Sequence, residues 1–302
     1  MSDENPNRKT RLALLAIPAL LLAAGFLQKN IDASARPLQE TKPELLLRSG
    51  NVLKKLSLGY DSLLADIYWT RAVQYFGERA QKPGANFDLL APLLDITTTL
   101  DPKLMIAYRF GAIFLSEPKP DGAGEPEKAV ELVKKGIAAN PDEWRLYQDL
   151  GFLYSIRLND NKKAAEAYLE GSKNPKSFIW MKVLAARVAE SGDSPSTSKL
   201  IWEEVYASTQ DEAIRKTALK HVKALDAAIG LKALGEAAED YKKKFGRYPS
   251  TVDELRDTGL VSGTLRDPAG FPYRMGPNGV PELDPNTSIV LDPEANKKSD
   301  EK

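Results

Sequence analysis

Few side chains in this sequence could carry out chemistry. There is one histidine, His221, and no cysteine, so thiolate nucleophiles, disulfides and Cys/His zinc sites are excluded together. His221 stands between Lys220 and Lys223 in a run with a basic helical face, which predicts a solvated residue rather than a general base. No H-E-x-x-H, G-x-S-x-G, P-loop or G-x-G-x-x-G pattern occurs. What remains is a set of carboxylates near the C-terminus. Asp267, Glu282, Asp284 and Asp292 offer the hard oxygen ligands that calcium prefers. Three of them, Asp267, Asp284 and Asp292, directly precede proline, where Asp starts turns by bonding its own backbone. Turns are the first expectation for these residues, and calcium at Asp267 and Asp284 the second. A hydrolase would need two acids at one cleft, and no spacing here brings two together. The sequence therefore predicts a protein that is not an enzyme and takes no cofactor.

The elements that would position any site recur along the chain. Phe110-Gly111-x-x-Phe114 is followed by Ala129-x-x-x-Val133-x-x-Gly136 and Pro141. Leu150-Gly151-x-x-Tyr154 leads to Ala164-x-x-x-Tyr168-x-x-Gly171 and Pro175, and Leu184-Ala185-x-x-Val188 to Ser198-x-x-x-Trp202-x-x-Val205. Gly151 and Ala185 lie 34 residues apart, as do Pro141 and Pro175. A small residue on the first helix of each unit lets a second helix approach closely, and the large residue three positions on packs beside it. Such a pair cannot bury its apolar stripe alone, so pairs must stack. The period and the small/aromatic pattern resemble the tetratricopeptide (TPR) helix pair. A generic helical bundle with a coincidental period is the alternative. The expected fold is mainly α: a TPR-like solenoid over residues 44–225, with a degenerate first unit pairing Leu64-Ala65-x-x-Tyr68 with Leu90, Leu94 and Pro102.

The resemblance also implies a binding surface, the groove lined by the first helices. Laid onto the TPR pattern, its residues are Asp66, Trp69, Met105, Tyr108, Arg145, Gln148, Phe152, Ile179 and Lys182. This mixture of aromatic, aliphatic and polar side chains suits a peptide or helix better than a nucleic acid. Packing between helices is an equal expectation for each of them. Lys plus Arg and Asp plus Glu both number 42, so no net charge draws the chain towards nucleic acid.

Residues 12–27 (LALLAIPALLLAAGFL) carry no charge and follow Arg8, Lys9 and Arg11. A basic flank before an apolar core predicts a cytoplasmic N-terminus (residues 1–11) with the bulk of the chain exported. The stretch is short for the ~20 residues of a full span, so a signal peptide cleaved near Ala35, at Ala33-Ser34-Ala35, is the alternative to an uncleaved anchor. Lys29 and Asp32 would fall inside the cleavage region and favour the anchor. Residues 28–43, with Pro37 and Pro43, read as a tether. The address expected is a bacterial inner membrane, single-pass, with the folded part in the periplasm.

Two further features stand out. The segment SEPKPDGAGEP at 116–126 holds too much proline and glycine for helix and predicts a mobile surface loop. After a helix expected at 211–224, residues 226–292 change character. Tyr241-x-x-x-Phe245-Gly246-Arg247-Tyr248-Pro249, Leu255, Gly259-Leu260-Val261 and Asp267-Pro268-Ala269-Gly270-Phe271-Pro272-Tyr273 resemble the soluble part of the G-type pseudopilins of type II secretion. That resemblance covers about residues 226–284 and implies a long helix, a turn, a short helix and a small antiparallel sheet, with calcium near the sheet. Here the helix follows repeats instead of opening at a processed N-terminus, which predicts a small α+β capping or docking module. Residues 293–302 are charged and predict a disordered tail. Together these features predict a membrane-anchored TPR scaffold that binds proteins of an envelope complex; an accessory of a secretion or pilus-like apparatus is the alternative.

Overall fold

The computed structural model describes residues 27, 49–82, 84–192, 195–276 and 278–292. The chain divides into two units, Met1–Leu46 and Leu47–Lys302. Of the first only Leu27 is described, in helix, so the anchor expected at 12–27, the tether at 28–43 and the tail at 293–302 lie outside the described residues. Among the described residues no helix is long and apolar enough to cross a membrane.

The second unit is mainly helical. Its helices are α1 (Gly50–Leu56), α2 (Asp61–Ala80), α3 (Leu90–Leu100), α4 (Met105–Ser116), α5 (Pro126–Ala139), α6 (Trp144–Phe152), α7 (Asn161–Ser172), α8 (Trp180–Ser191), α9 (Pro195–Ser208), α10 (Glu212–Phe245) and α11 (Val252–Asp257). Chain neighbours pack on one another: α2 on α3, α4 on α5, α6 on α7, α8 on α9, and α9 on α10. Contacts of α3 with α5 and of α4 with α6 join one pair to the next. Local chemistry sets several helix ends. Pro126 opens α5, where its missing N–H is one that a first turn leaves unbonded anyway. The Asp160 and Asp211 carboxylates accept from backbone N–H groups in the first turns of α7 and α10.

Glycine and alanine make the close approaches that the repeat pattern requires. A Cβ on Gly111 would lie 2.8 Å from Leu94 and 2.9 Å from Leu132. One on Gly136 would meet the Tyr108 ring at 2.8 Å, and one on Gly151 the Tyr168 ring at 2.5 Å. Ala185 is fully buried on α8. Ion pairs tie the earlier units together at a wider spacing: Arg109–Asp149, Lys135–Asp95 and Arg157–Glu117 each join positions 40 residues apart.

The loop before α5 departs from expectation. It is not helical, but it folds back on the end of α4. Ala123 and Glu125 donate backbone N–H to the carbonyls of Phe114 (3.0 Å) and Leu115 (2.7 Å), and Ala123 is buried. Proline and glycine here give a pinned return path where the sequence predicted a mobile loop, because these bonds satisfy carbonyls left open at the helix end.

Beyond Asp211 a single 34-residue helix, α10, runs unbroken through positions 225 and 226. It ends at Gly246, whose φ of 73° is the left-handed cap conformation that glycine adopts without a Cβ penalty. Its second half packs with α11 and a short antiparallel pair, β1 (Arg274–Met275) and β2 (Pro281–Glu282), in register Arg274 with Glu282. Leu234, Ala237, Tyr241, Val252, Leu255 and Tyr273 form the core of this C-terminal part.

Candidate functional site

The buried stripe of α4 is Ala107, Tyr108, Gly111, Ala112 and Leu115. At 100° per residue, Ile106, Phe110 and Ile113 fall on the opposite side. All three are exposed, Phe110 by 50% and Ile113 by 51%. On α6 the same argument, with Leu146, Leu150 and Gly151 buried, turns Arg145, Gln148, Asp149 and Phe152 outward. The chain then continues from α6 into a π-helical turn, Leu153–Arg157, which presents Ile156 to solvent. The two helices are joined across this face by a bidentate pair, Arg109 Nε to Asp149 Oδ2 at 2.7 Å and Arg109 Nη2 to Asp149 Oδ1 at 3.2 Å. The result is an apolar strip of Ile106, Phe110, Ile113, Phe152 and Ile156 with a charged cross-link in it.

The charges on the strip are already matched. Burial pushes the Asp149 carboxyl above its ordinary range, although the Arg109 hydrogen bond pulls it down. That same bond raises the Arg109 guanidinium. Arg145 pairs with Glu143 at 3.0 Å. Arg157 pairs with Glu117 and lies over the Phe152 ring, 5.7 Å from its centre. Towards α2 the strip is closed by stacked aromatics. Phe114 stacks on Phe76 at 4.0 Å and on Trp69 at 6.2 Å, with Phe110 6.3 Å away.

The structure brings some of the sequence-derived groove residues together and separates others. Arg145, Gln148 and Phe152 share the outward face of α6. Asp66 is exposed on α2, and Trp69 is half-buried in the aromatic stack. Met105 is half-buried at the first position of α4. Tyr108 does not line a groove: it is fully buried, with its ring against Gly136 and its hydroxyl 3.4 Å from the Thr98 carbonyl, and burial pushes its phenol up to about 12. The small Gly136 leaves a gap that only a flat ring fills, which is why an aromatic at this position goes inward. Ile179 is half-buried at the N-cap of α8. Lys182 turns towards α9, where it pairs with Glu204. On α4, outward positions are therefore shifted by one or two residues from those derived: Ile106, Arg109, Phe110 and Ile113 were missed. Their spacing of i, i+3, i+4 and i+7 opposite Gly111 was the available signal.

The other chemical candidates each have close partners. His221 is buried, contrary to the solvated position expected of it: its ring stacks on Trp202 at 4.2 Å, and Nδ1 lies 3.2 Å from Glu190 Oε2. Lys220 and Lys223 beside it are exposed on the same helix. Asp267 is buried, and its Oδ1 accepts from the N–H groups of Ala269 and Phe271, each at 2.9 Å. Its Oδ2 accepts from the Thr287 hydroxyl at 2.5 Å. Asp284 Oδ1 accepts from the backbone N–H and the side-chain amide of Asn286, both at 2.9 Å. Among the described residues no three His, Cys, Asp or Glu groups gather as a ligand set. Asp284 Oδ2 lies 4.0 Å from Arg274 Nε, so both aspartates are engaged by neighbouring donors, as the turn expectation has it for Asp267 Oδ1 and Asp284 Oδ1.

The chain matches no known family model, and no curated protein matches it.

Proposed function

We propose that this chain is a non-enzymatic scaffold, built as a TPR-like solenoid and anchored in a bacterial inner membrane, that binds a partner protein of an envelope complex in the periplasm. The observation that carries the binding site is the strip of Ile106, Phe110, Ile113, Phe152 and Ile156, exposed on α4, α6 and the turn that follows α6, with α4 and α6 linked by Arg109 and Asp149. Contiguous exposed apolar groups around rigid aromatics mark protein interaction sites more often than bare solvent faces. The successive packing of helix pairs, with glycine at the close contacts, supports the solenoid. The apolar run at 12–27 behind Arg8, Lys9 and Arg11 supports the anchor and its orientation.

The test is crosslinked capture of the full chain from solubilised membranes with Phe110→Asp plus Phe152→Asp as the variant. The scaffold reading expects a stoichiometric envelope protein that is lost from the variant while its circular dichroism and Tm are unchanged. Retention of every captured protein by the variant refutes the strip as the site.

A second reading, an accessory of a secretion or pilus-like apparatus acting through the C-terminal module, is favoured by the separate core of that part. Val280, an exposed apolar residue beside β2, separates the two. Val280→Asp would abolish capture on the second reading and leave it intact on the first.

A further inference from the structure

The N-terminal end of the helical array is unlike the end of a soluble one. Stacked helices that stop at water need a polar outer face, because the terminal helix has no neighbour to cover it. The opposite end meets this by passing into α10. At the N-terminal end, Val52 and Leu56 of α1, Leu58 of the turn, and Tyr60, Leu63 and Ile67 leading into α2 are all exposed, Leu58 by 87% and Tyr60 by 67%. Tyr60, Leu63 and Ile67 follow one another at three and four residues, a single stripe along the start of α2. Leu58 has a φ of 52°, a left-handed conformation that glycine or asparagine would adopt more easily, and it carries a large apolar side chain into solvent there. Lys54 and Lys55 close α1 beside it. The two acids at the start of α2 are Asp61, which accepts from the Ser57 hydroxyl and keeps its charge, and the exposed Asp66.

We propose that this end of the array is a membrane-contacting surface, seated on anionic phospholipid headgroups with Leu56, Leu58 and Leu63 dipping into the interface. Three observations choose a bilayer over other occupants. Aliphatic tips flanked by lysines and a tyrosine are the composition of interfacial anchors, whose apolar part enters the headgroup boundary while cations meet anionic lipid. The apolar side chains are carried by a turn and the helix ends on either side of it, Leu58 itself being 87% exposed, a placement that suits insertion into a fluid layer. The first described residue of the unit, Ser49, is 22 residues beyond Leu27, the last of the expected span, which at ~3.3 Å per residue permits contact with the same membrane. The inference rests on the anchored reading above and adds to it an orientation: the array stands with α1 and α2 on the lipid and α10 away from it.

The absence of cysteine in the whole sequence makes the test clean. The full chain carrying Leu58→Cys, labelled with an environment-sensitive fluorophore, is reconstituted in vesicles of phosphatidylcholine and phosphatidylglycerol that contain nitroxide-labelled lipid. Leu200→Cys, exposed on α9, is the control. The expected result is several-fold stronger lipid quenching at position 58 than at 200, reduced when Lys54 and Lys55 are both changed to Glu. Equal quenching at the two positions overturns the proposal. So does shielding of position 58 from aqueous iodide without lipid quenching, which would mean cover by the chain's own N-terminal segment. Energy transfer between two labelled copies at position 58 would assign the surface to a dimer and also overturn it. Resistance of the full chain to alkaline extraction reports the anchor separately: an anchored chain without lipid quenching at 58 fails this inference alone, and an extractable chain fails both.

Discussion

Replacing Gly151 by alanine tests whether close helix approach organises the array. The new Cβ would lie 2.5 Å from one atom of the Tyr168 ring and 2.7 Å from two others, where ordinary contact begins at 3.4 Å. The ring cannot swing aside, because Tyr168 is itself buried. Overpacking of this kind costs about 1–3 kcal/mol, and three ring atoms in conflict place Gly151→Ala towards the upper part. Alanine in a helix returns about 0.5–1 kcal/mol relative to glycine, leaving a net loss of roughly 1–2 kcal/mol. Gly77, inside α2, has nothing within 4 Å of its would-be Cβ, so Gly77→Ala gains the propensity alone. Urea unfolding followed by circular dichroism should separate the two variants by about 2–3 kcal/mol, with opposite signs relative to wild type. In Tm this is a fall of about 2–8 °C for Gly151→Ala and a rise of about 1–4 °C for Gly77→Ala. Shifts in the same direction would refute the argument that α6 and α7 meet through this glycine.

Tyr108→Ala should lower stability by about 3–5 kcal/mol through the cavity it leaves, so any loss of partner capture in that variant must track unfolding; a Tm equal to wild type would contradict its burial. Spectrophotometric titration should find Tyr108 and Tyr168 resisting ionisation to about 12, since burial raises both; removal of no absorbance step near 12 by Tyr108→Phe plus Tyr168→Phe would count against it. Asp149 has its folded pKa raised, so between its unfolded value and its folded one the native state holds the extra proton. Wild-type stability relative to Asp149→Asn should therefore fall as pH rises through that window, and a flat or rising difference in denaturation midpoints would contradict the shift. Phe110→Ser and Ile113→Ser should each change stability by no more than about 0.5 kcal/mol, because the side chains are half in water; a larger loss by urea titration would mean that they pack against the core.

The helix-pair framework was legible because its signals are local. The sequence marks Gly111, Gly151 and Ala185 as points of close approach, and all three are buried. The phase of each outward face was less legible. Laid onto the TPR pattern, Tyr108 falls on the outward face of α4, whereas the space beside Gly136, 28 residues on, takes its ring inward. His221 failed for the same reason: its lysine neighbours lie adjacent in sequence, but Trp202 and Glu190, which bury it, come from other helices. The ion pairs at 40 residues show that the long loop before α5 enlarges the earlier units beyond the 34-residue period, and its pinning to α4 depends on backbone bonds that composition does not reveal. The sequence division at 225/226 falls inside α10, where hydrophobic pattern changes but backbone bonding does not.

That continuity has a mechanical consequence. Helix α10, about 50 Å long at 1.5 Å per residue, is packed on α9 at one end and forms one wall of the C-terminal core at the other. No proline interrupts it, and its backbone stays helical through Gly230 and Gly235. A tilt of about 10° at the α9 contact would carry its far end through roughly 9 Å, by the same length. A rotation at the α9 contact would thus appear, magnified as displacement, at the other extremity.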